Sequence, residues 1–137
     1  MVVKKINSNT YDNGDIAVIG GNSVTFAMRD FVTKTGGFLV LSTAGDTILG
    51  VSKENATMAS DNQTVGKIKV VVEEQKPQTT FEVTITGGTI TIADEGKYYD
   101  LATTTTVDGT SESTTTGQLQ LVKFISATLC LFKIVNL

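Results

Sequence analysis

Large apolar residues in this chain recur at every second position, in short runs broken by glycine or polar residues, and that period points to β-strands rather than helices. The run Phe81-Glu82-Val83-Thr84-Ile85-Thr86 puts Phe81, Val83 and Ile85 on one face and Glu82, Thr84 and Thr86 on the other. Lys67-Ile68-Lys69-Val70 alternates in the same way. Near the end, Gln118–Ile125 and Thr128–Val135 flank a tight Ser126-Ala127 link, with Cys130, Phe132 and Ile134 sharing a face. No segment carries an apolar stripe at helical spacing for more than two turns; Ser52–Ala59 is the best place for a single turn. Threonine, β-branched and suited to a pleated surface, occurs 23 times in 137 residues, which favours the same class.

The punctuation sets the strand lengths. Gly20-Gly21-Asn22, Gly36-Gly37, Thr43-Ala44-Gly45-Asp46 and Asp94-Glu95-Gly96 each read as turns, and Pro77 sits in a linker. Gly87-Gly88 predicts a two-residue hairpin joining the 81–86 strand to Thr89-Ile90-Thr91-Ile92, because both glycines accept positive φ. The count comes to about nine or ten short strands, which predicts an all-β fold: a single compact β-barrel, β-tulip or sandwich of short antiparallel strands. The length suits one domain, with an N-terminal arm over 1–12 and the barrel over 13–137. Residues 103–117, rich in threonine and serine with Val107 their one large apolar side chain, predict an exposed loop.

The composition also limits the chemistry. There is no histidine, so the usual general base at neutral pH and the commonest metal ligand are both missing. Cys130 has no second cysteine to pair with, and Leu129 and Leu131 beside it mark a buried apolar thiol. No Gly-x-Ser-x-Gly turn is present, and Gly20-Gly21-Asn22-Ser23 lacks the ending of a phosphate loop. Asp12-Asn13-Gly14-Asp15 resembles part of a calcium loop, but Ser23 stands where the closing glutamate belongs. Asp94 and Glu95 are adjacent, which in a strand points them to opposite faces, so they read as a solvated turn. Asn55-Ala56-Thr57 and Asn62-Gln63-Thr64 match the glycosylation pattern as chance products of a threonine-rich chain. The expectation is a non-enzyme with no catalytic residues, no metal and no cofactor.

A net charge of −3 argues against a nucleic-acid coat. The first residues do not form a signal peptide and no run reaches the length of a membrane helix, so the chain is expected to be soluble and made in the cytoplasm. Within the arm, Val2, Val3 and Ile6 are apolar residues with no obvious place in a barrel, and Lys4 and Lys5 lie between them. These five are the candidate partner-binding residues, able to add a strand to a neighbour's edge; the alternative is that the arm is a disordered terminus or the barrel's own edge strand.

The order of the pieces resembles a known family. A short polar arm leads to Ile48-Leu49-Gly50-Val51 and a polar stretch, then to the Lys67–Val72 and Phe81-Glu82-Val83-Thr84 strands. Gly96-Lys97-Tyr98-Tyr99-Asp100-Leu101, a Thr/Gly-rich loop and Gly117-Gln118-Leu119-Gln120-Leu121-Val122-Lys123-Phe124 complete it. Over roughly residues 45–137 this resembles the small head-decoration, or capsid cement, proteins of tailed bacteriophages. The resemblance implies a β-barrel or β-tulip that docks on the outer surface of the phage head and stabilises it by bridging major capsid protein subunits. It also implies self-association, as a trimer at three-fold positions or a dimer at two-fold positions. The alternative is a carbohydrate- or receptor-binding β module of a tail or cell surface, for which Tyr11, Tyr98 and Tyr99 are the available aromatics.

Overall fold

The computed structural model describes residues 15–66 and 68–137. Within the 13–137 span that reads as one barrel, backbone contacts define two compact units. One runs up to Leu41 and resumes over Leu49–Glu74; the other comprises Ser42–Ile48 and Gln75–Leu137. Both are built from short strands.

The N-terminal unit contains β1 (Asp15–Ile19), β2 (Thr25–Phe26), β3 (Phe31–Thr35), β4 (Phe38–Leu41), β5 (Gly50–Ser52), β6 (Ala56–Thr57), the one-turn helix α1 (Asn62–Val65) and β7 (Lys69–Glu74). Five strands form an antiparallel sheet in the order β1-β7-β5-β3-β4. A parallel bridge between Gly20 and Leu39 brings the end of β1 back to β4, and Gly21 N donates to Leu39 O at 2.8 Å. The sheet thus curls into a nearly closed barrel. Its interior is Val18, Phe26, Val32, Leu39, Met58, Val70 and Val72. Alternation puts them there: Val70 and Val72 point inward from β7, and Val18 lies opposite Val70 in the register.

The single turn expected within Ser52–Ala59 is not where the chain turns helical. Ala56-Thr57 pairs as a strand with Thr25-Phe26, and the helical turn follows at Asn62–Val65, ended by Gly66 at φ 62°. Burial of Phe26 and Met58 beneath that pair outweighs the weak local preference for helix.

The C-terminal unit contains β8 (Phe81–Thr86), a 3₁₀ turn (Ile92–Asp94), β9 (Tyr98–Tyr99), β10 (Thr106–Asp108), β11 (Leu119–Ser126) and β12 (Leu129–Ile134). Its sheet order is β9-β11-β12-β8-β10, and here too the ends meet. Leu101 bridges Val107, with Ala102 N donating to Thr106 O at 2.8 Å and Asp108 N to Asp100 O at 2.9 Å. The expected β11–β12 hairpin is present, turning at Ala127-Thr128. Cys130, Phe132 and Ile134 face the core as their shared parity requires, and Tyr99 stands edge-on to Phe132 with ring centroids 6.0 Å apart.

Two local expectations change. Residues 103–117 are not all loop, because β10 lies within them and runs parallel to β8, the one parallel pair between named strands. Val107 is completely buried in that pairing, so a single apolar residue sufficed to anchor the segment. The hairpin predicted at Gly87-Gly88 does not form. Both edges of β8 are already taken, one by β12 and one by β10. Gly87 and Gly88 do adopt positive φ, 71° and 68°, but there they let the chain pass against the 107–110 turn, where a side chain on Gly88 would collide with the Gly109 carbonyl. The chain then enters the 3₁₀ turn.

Candidate functional site

The arm residues Val2, Val3, Lys4, Lys5 and Ile6 lie outside the described residues. Of the three tyrosines, Tyr99 is not available for a ligand: it is 0% exposed in the core. Nor is Asp94 solvated. It is buried within a capping box in which its carboxylate accepts from Thr91 N at 2.8 Å while the Thr91 hydroxyl meets the Asp94 amide. Asn62, the acceptor of one glycosylation match, is wholly buried and bonded to backbone, so the folded chain hides it.

The most chemistry-like cluster lies around β9. Lys97 Nζ donates to Asp94 Oδ1 at 2.9 Å and to Glu112 Oε2 at 2.8 Å, and the Tyr99 hydroxyl donates to Glu112 Oε1 at 3.3 Å. Sequence reading missed it because Glu112 comes from the Thr/Ser-rich stretch, and only the folding of that stretch onto β9 brings the groups together. The Tyr98 N–H to Ser113 O bond, 2.8 Å, is the backbone half of that contact.

Electrostatics define what the cluster can do. The hydrogen bonds that it donates to Glu112 and Asp94 hold the Lys97 ammonium far above its ordinary value. Burial, reinforced by the Glu112 and Asp94 charges, pushes the Tyr99 phenol well up. The Thr91 backbone bond, followed by Lys97, holds the Asp94 carboxyl below the usual carboxylate range. A lysine acting as base or nucleophile needs a depressed value; this one is driven the opposite way. Lys97 stays charged and Tyr99 stays neutral, which makes the group a clamp.

The clamp has a pH signature. The upward shifts of Lys97 and Tyr99 contribute stability that is fully present below the ordinary values of about 10 and is lost as pH climbs beyond them. Asp94, shifted down, contributes above about pH 4 and loses its contribution in acid. In an alkaline titration part of the tyrosinate absorbance is expected to be withheld until the chain unfolds, and Tyr99→Phe should remove that withheld part. A signal complete near pH 10 with the fold intact would contradict it.

A cleft of about 330 Å³ lies at another place in the same unit, lined in part by Asp46, Thr47, Asp100, Thr116, Gln118 and Asn136. Its amides are committed to the fold. Gln118 Nε2 donates to Thr43 O at 2.8 Å and Asp46 O at 2.7 Å, and its Oε1 accepts from Leu101 N at 2.9 Å. The Asn136 amide is paired with Ile48 N and Ile48 O. The aspartates are partly used as well: Asp46 accepts from Thr43 N and Asp100 from Gln118 N. No group of three or more metal-ligating side chains occurs among the described residues.

The surface offers a different kind of feature on β11. Two β-bulges interrupt its pairing with β12, one between Leu121 and Lys123 and one between Phe124 and Ser126. The extra residues are Val122 and Ile125, whose side chains are 41% and 46% exposed. The 3₁₀ turn packs beside this strand and leaves Ile92 69% exposed. Glu95 follows that turn and accepts from Phe124 N at 2.8 Å, while Lys123 is solvent-exposed. Three exposed apolar side chains, one acid and one base thus lie on or next to β11.

No helix among the described residues is long and apolar enough to cross a membrane. A scan of protein-family models and a search of curated proteins both return no match to the chain.

Proposed function

We propose that this chain is a non-enzymatic structural protein that coats the outer surface of a tailed-phage head and stabilises it by bridging neighbouring major capsid protein subunits. The observation that carries this reading is the commitment of its reactive-looking groups to the fold. Lys97 and Tyr99 are held in their protonated forms, and the cleft amides are bonded to backbone. What the chain offers a partner is therefore shape and surface. The resemblance of residues 45–137 to capsid cement proteins supplies the specific partner and the site of action, the virion exterior after synthesis in the host cytoplasm.

The physics suits the role. Two curled five-stranded sheets are rich in contacts between residues distant in sequence, and such folds can unfold slowly, as a long-lived particle requires. Bridging fixed lattice positions as a homo-oligomer, trimer or dimer, converts weak contacts into firm attachment by raising the effective concentration. No nucleic acid, membrane or cofactor enters this function. The carbohydrate-binding alternative is weakened by the burial of Tyr99, since sugar sites want exposed aromatic faces.

In this reading the arm makes the capsid contact through Val2, Val3 and Ile6, with Lys4 and Lys5 beside them. Deleting residues 1–12 is expected to cut retention on expanded heads at least tenfold while leaving the thermal melt unchanged. Full occupancy by the shortened chain would remove the arm from the account.

A further inference from the structure

We propose that the strip formed by Ile92, Val122 and Ile125 is a two-fold interface between two copies of this chain. The inference rests on the reading of the protein as a self-associating one and names the surface responsible.

Two bulges shape this part of β11. Alternation from the buried Leu119 and Leu121 already faces Val122 outward; the extra residue there reverses the parity that follows, so that Phe124 pairs with the buried Cys130 and Ile125 faces solvent. With Ile92 they are three of the seven exposed large apolar side chains among the described residues, and they lie on or next to one strand. The Glu95 carboxylate already takes Phe124 N, a donor that an added strand would need beyond the two-residue β9. Contact is therefore made through side chains.

Charge selects the occupant. Glu95 and Lys123 flank the strip, and among the described residues Lys123 has no acidic partner within ion-pair distance. A two-fold axis brings each residue of the patch to the corresponding patch of the other copy, so Lys123 of each copy meets Glu95 of the other. Glu95 and Lys123 balance each other, so two copies of a chain that carries −3 can meet here without added repulsion from these groups. Three apolar side chains make only the centre of an interface, and a dissociation constant on the order of micromolar to millimolar is expected.

Sedimentation equilibrium over a concentration series tests this with the full chain. A monomer–dimer equilibrium is expected, weakened at least tenfold by Ile125→Lys and likewise by Lys123→Glu or Glu95→Lys alone. Mixing the last two variants should restore a 1:1 dimer, because an all-acidic patch then meets an all-basic one. Glu95→Lys leaves Phe124 N to water, and Lys123→Glu alters an exposed residue, so both are expected to fold; a matching circular dichroism spectrum checks this. A monomer at every concentration, a trimer, self-association indifferent to Ile125→Lys, or a mixture that fails to pair would each overturn the proposal. A monomer that still binds capsids would leave the proposed function standing, and a dimer made through this patch that ignores capsids would remove that function alone.

Discussion

Alanine at position 62 is expected to destabilise the N-terminal barrel by about 3–5 kcal/mol, since each buried group left unpaired costs roughly 1–3. Asn62 is completely buried, and its amide serves three backbone atoms. Nδ2 donates to Gly20 O at 2.8 Å and Ile68 O at 3.0 Å, and Oδ1 accepts from Ile68 N at 3.0 Å. Gly20 is the residue that bridges to Leu39 and brings β1 round to β4, while Ile68 leads into β7. One side chain thus ties together the two ends that a curled sheet must hold. Asn62→Asp should be worse than alanine near neutral pH, because a carboxylate would face two carbonyls, and should partly recover in acid as the carboxyl regains a donor. Hydrogen exchange resolved along the chain is the measurement. Amides of β1, β3, β5 and β7 should lose protection, and unchanged protection would show that the barrel does not depend on this amide.

Gln118→Ala is the corresponding loss in the C-terminal barrel, expected at about 3–4 kcal/mol on the same reasoning. Its amide holds Thr43 O, Asp46 O and Leu101 N, and its own N–H donates to Asp100 Oδ1 at 3.1 Å. It joins the Ser42–Ile48 segment to the Leu101 strand end that meets Val107. Removing it leaves two carbonyls and one N–H short of partners beside the closure of the ring. Tyr98 and Tyr99 report this directly through near-ultraviolet dichroism, because both belong to β9. Urea unfolding followed by that signal should shift to lower midpoint with its slope unchanged. Gln118→Glu tests geometry against polarity. It keeps the acceptor for Leu101 N but loses both donors, and should fall near the alanine variant.

How far the sequence foretells these structures depends on whether the deciding contact is local. The alternation of Phe81–Thr86 and of Cys130, Phe132 and Ile134 fixes which face is buried, and the structure keeps both patterns. Turn glycines behave as their freedom to adopt positive φ suggests, yet at Gly87-Gly88 that freedom serves a close backbone approach, a use that only the folded neighbours reveal. Asn62 reads locally as a glycosylation match and Gln118 as the start of a strand; their roles depend on partners 42 and 75 residues away. The same distance problem hides the Lys97 clamp, since Glu112 sits in a stretch whose composition resembles a loop. Val107 illustrates the limit from the other side. One apolar residue among threonines carries little signal by itself, but an open edge on β8 gives it a place to be buried.

Bulges are harder still to read. Gln118–Ile125 shows enough alternation to be a strand, with Val122 opposite in parity to Leu119 and Leu121, but nothing in it announces the extra residues that leave Ile125 turned to solvent.

We propose that this protein acts by seating on a phage head and tightening it. The direct measurement is titration of the full chain against expanded heads that lack it, with bound protein counted per particle and head stability followed by the temperature of DNA release. The account predicts saturation at a whole-number ratio to the two-fold or three-fold lattice positions, with release moved to higher temperature as occupancy rises. Absence of retained protein on expanded heads, at concentrations well above those of self-association, would contradict the proposal.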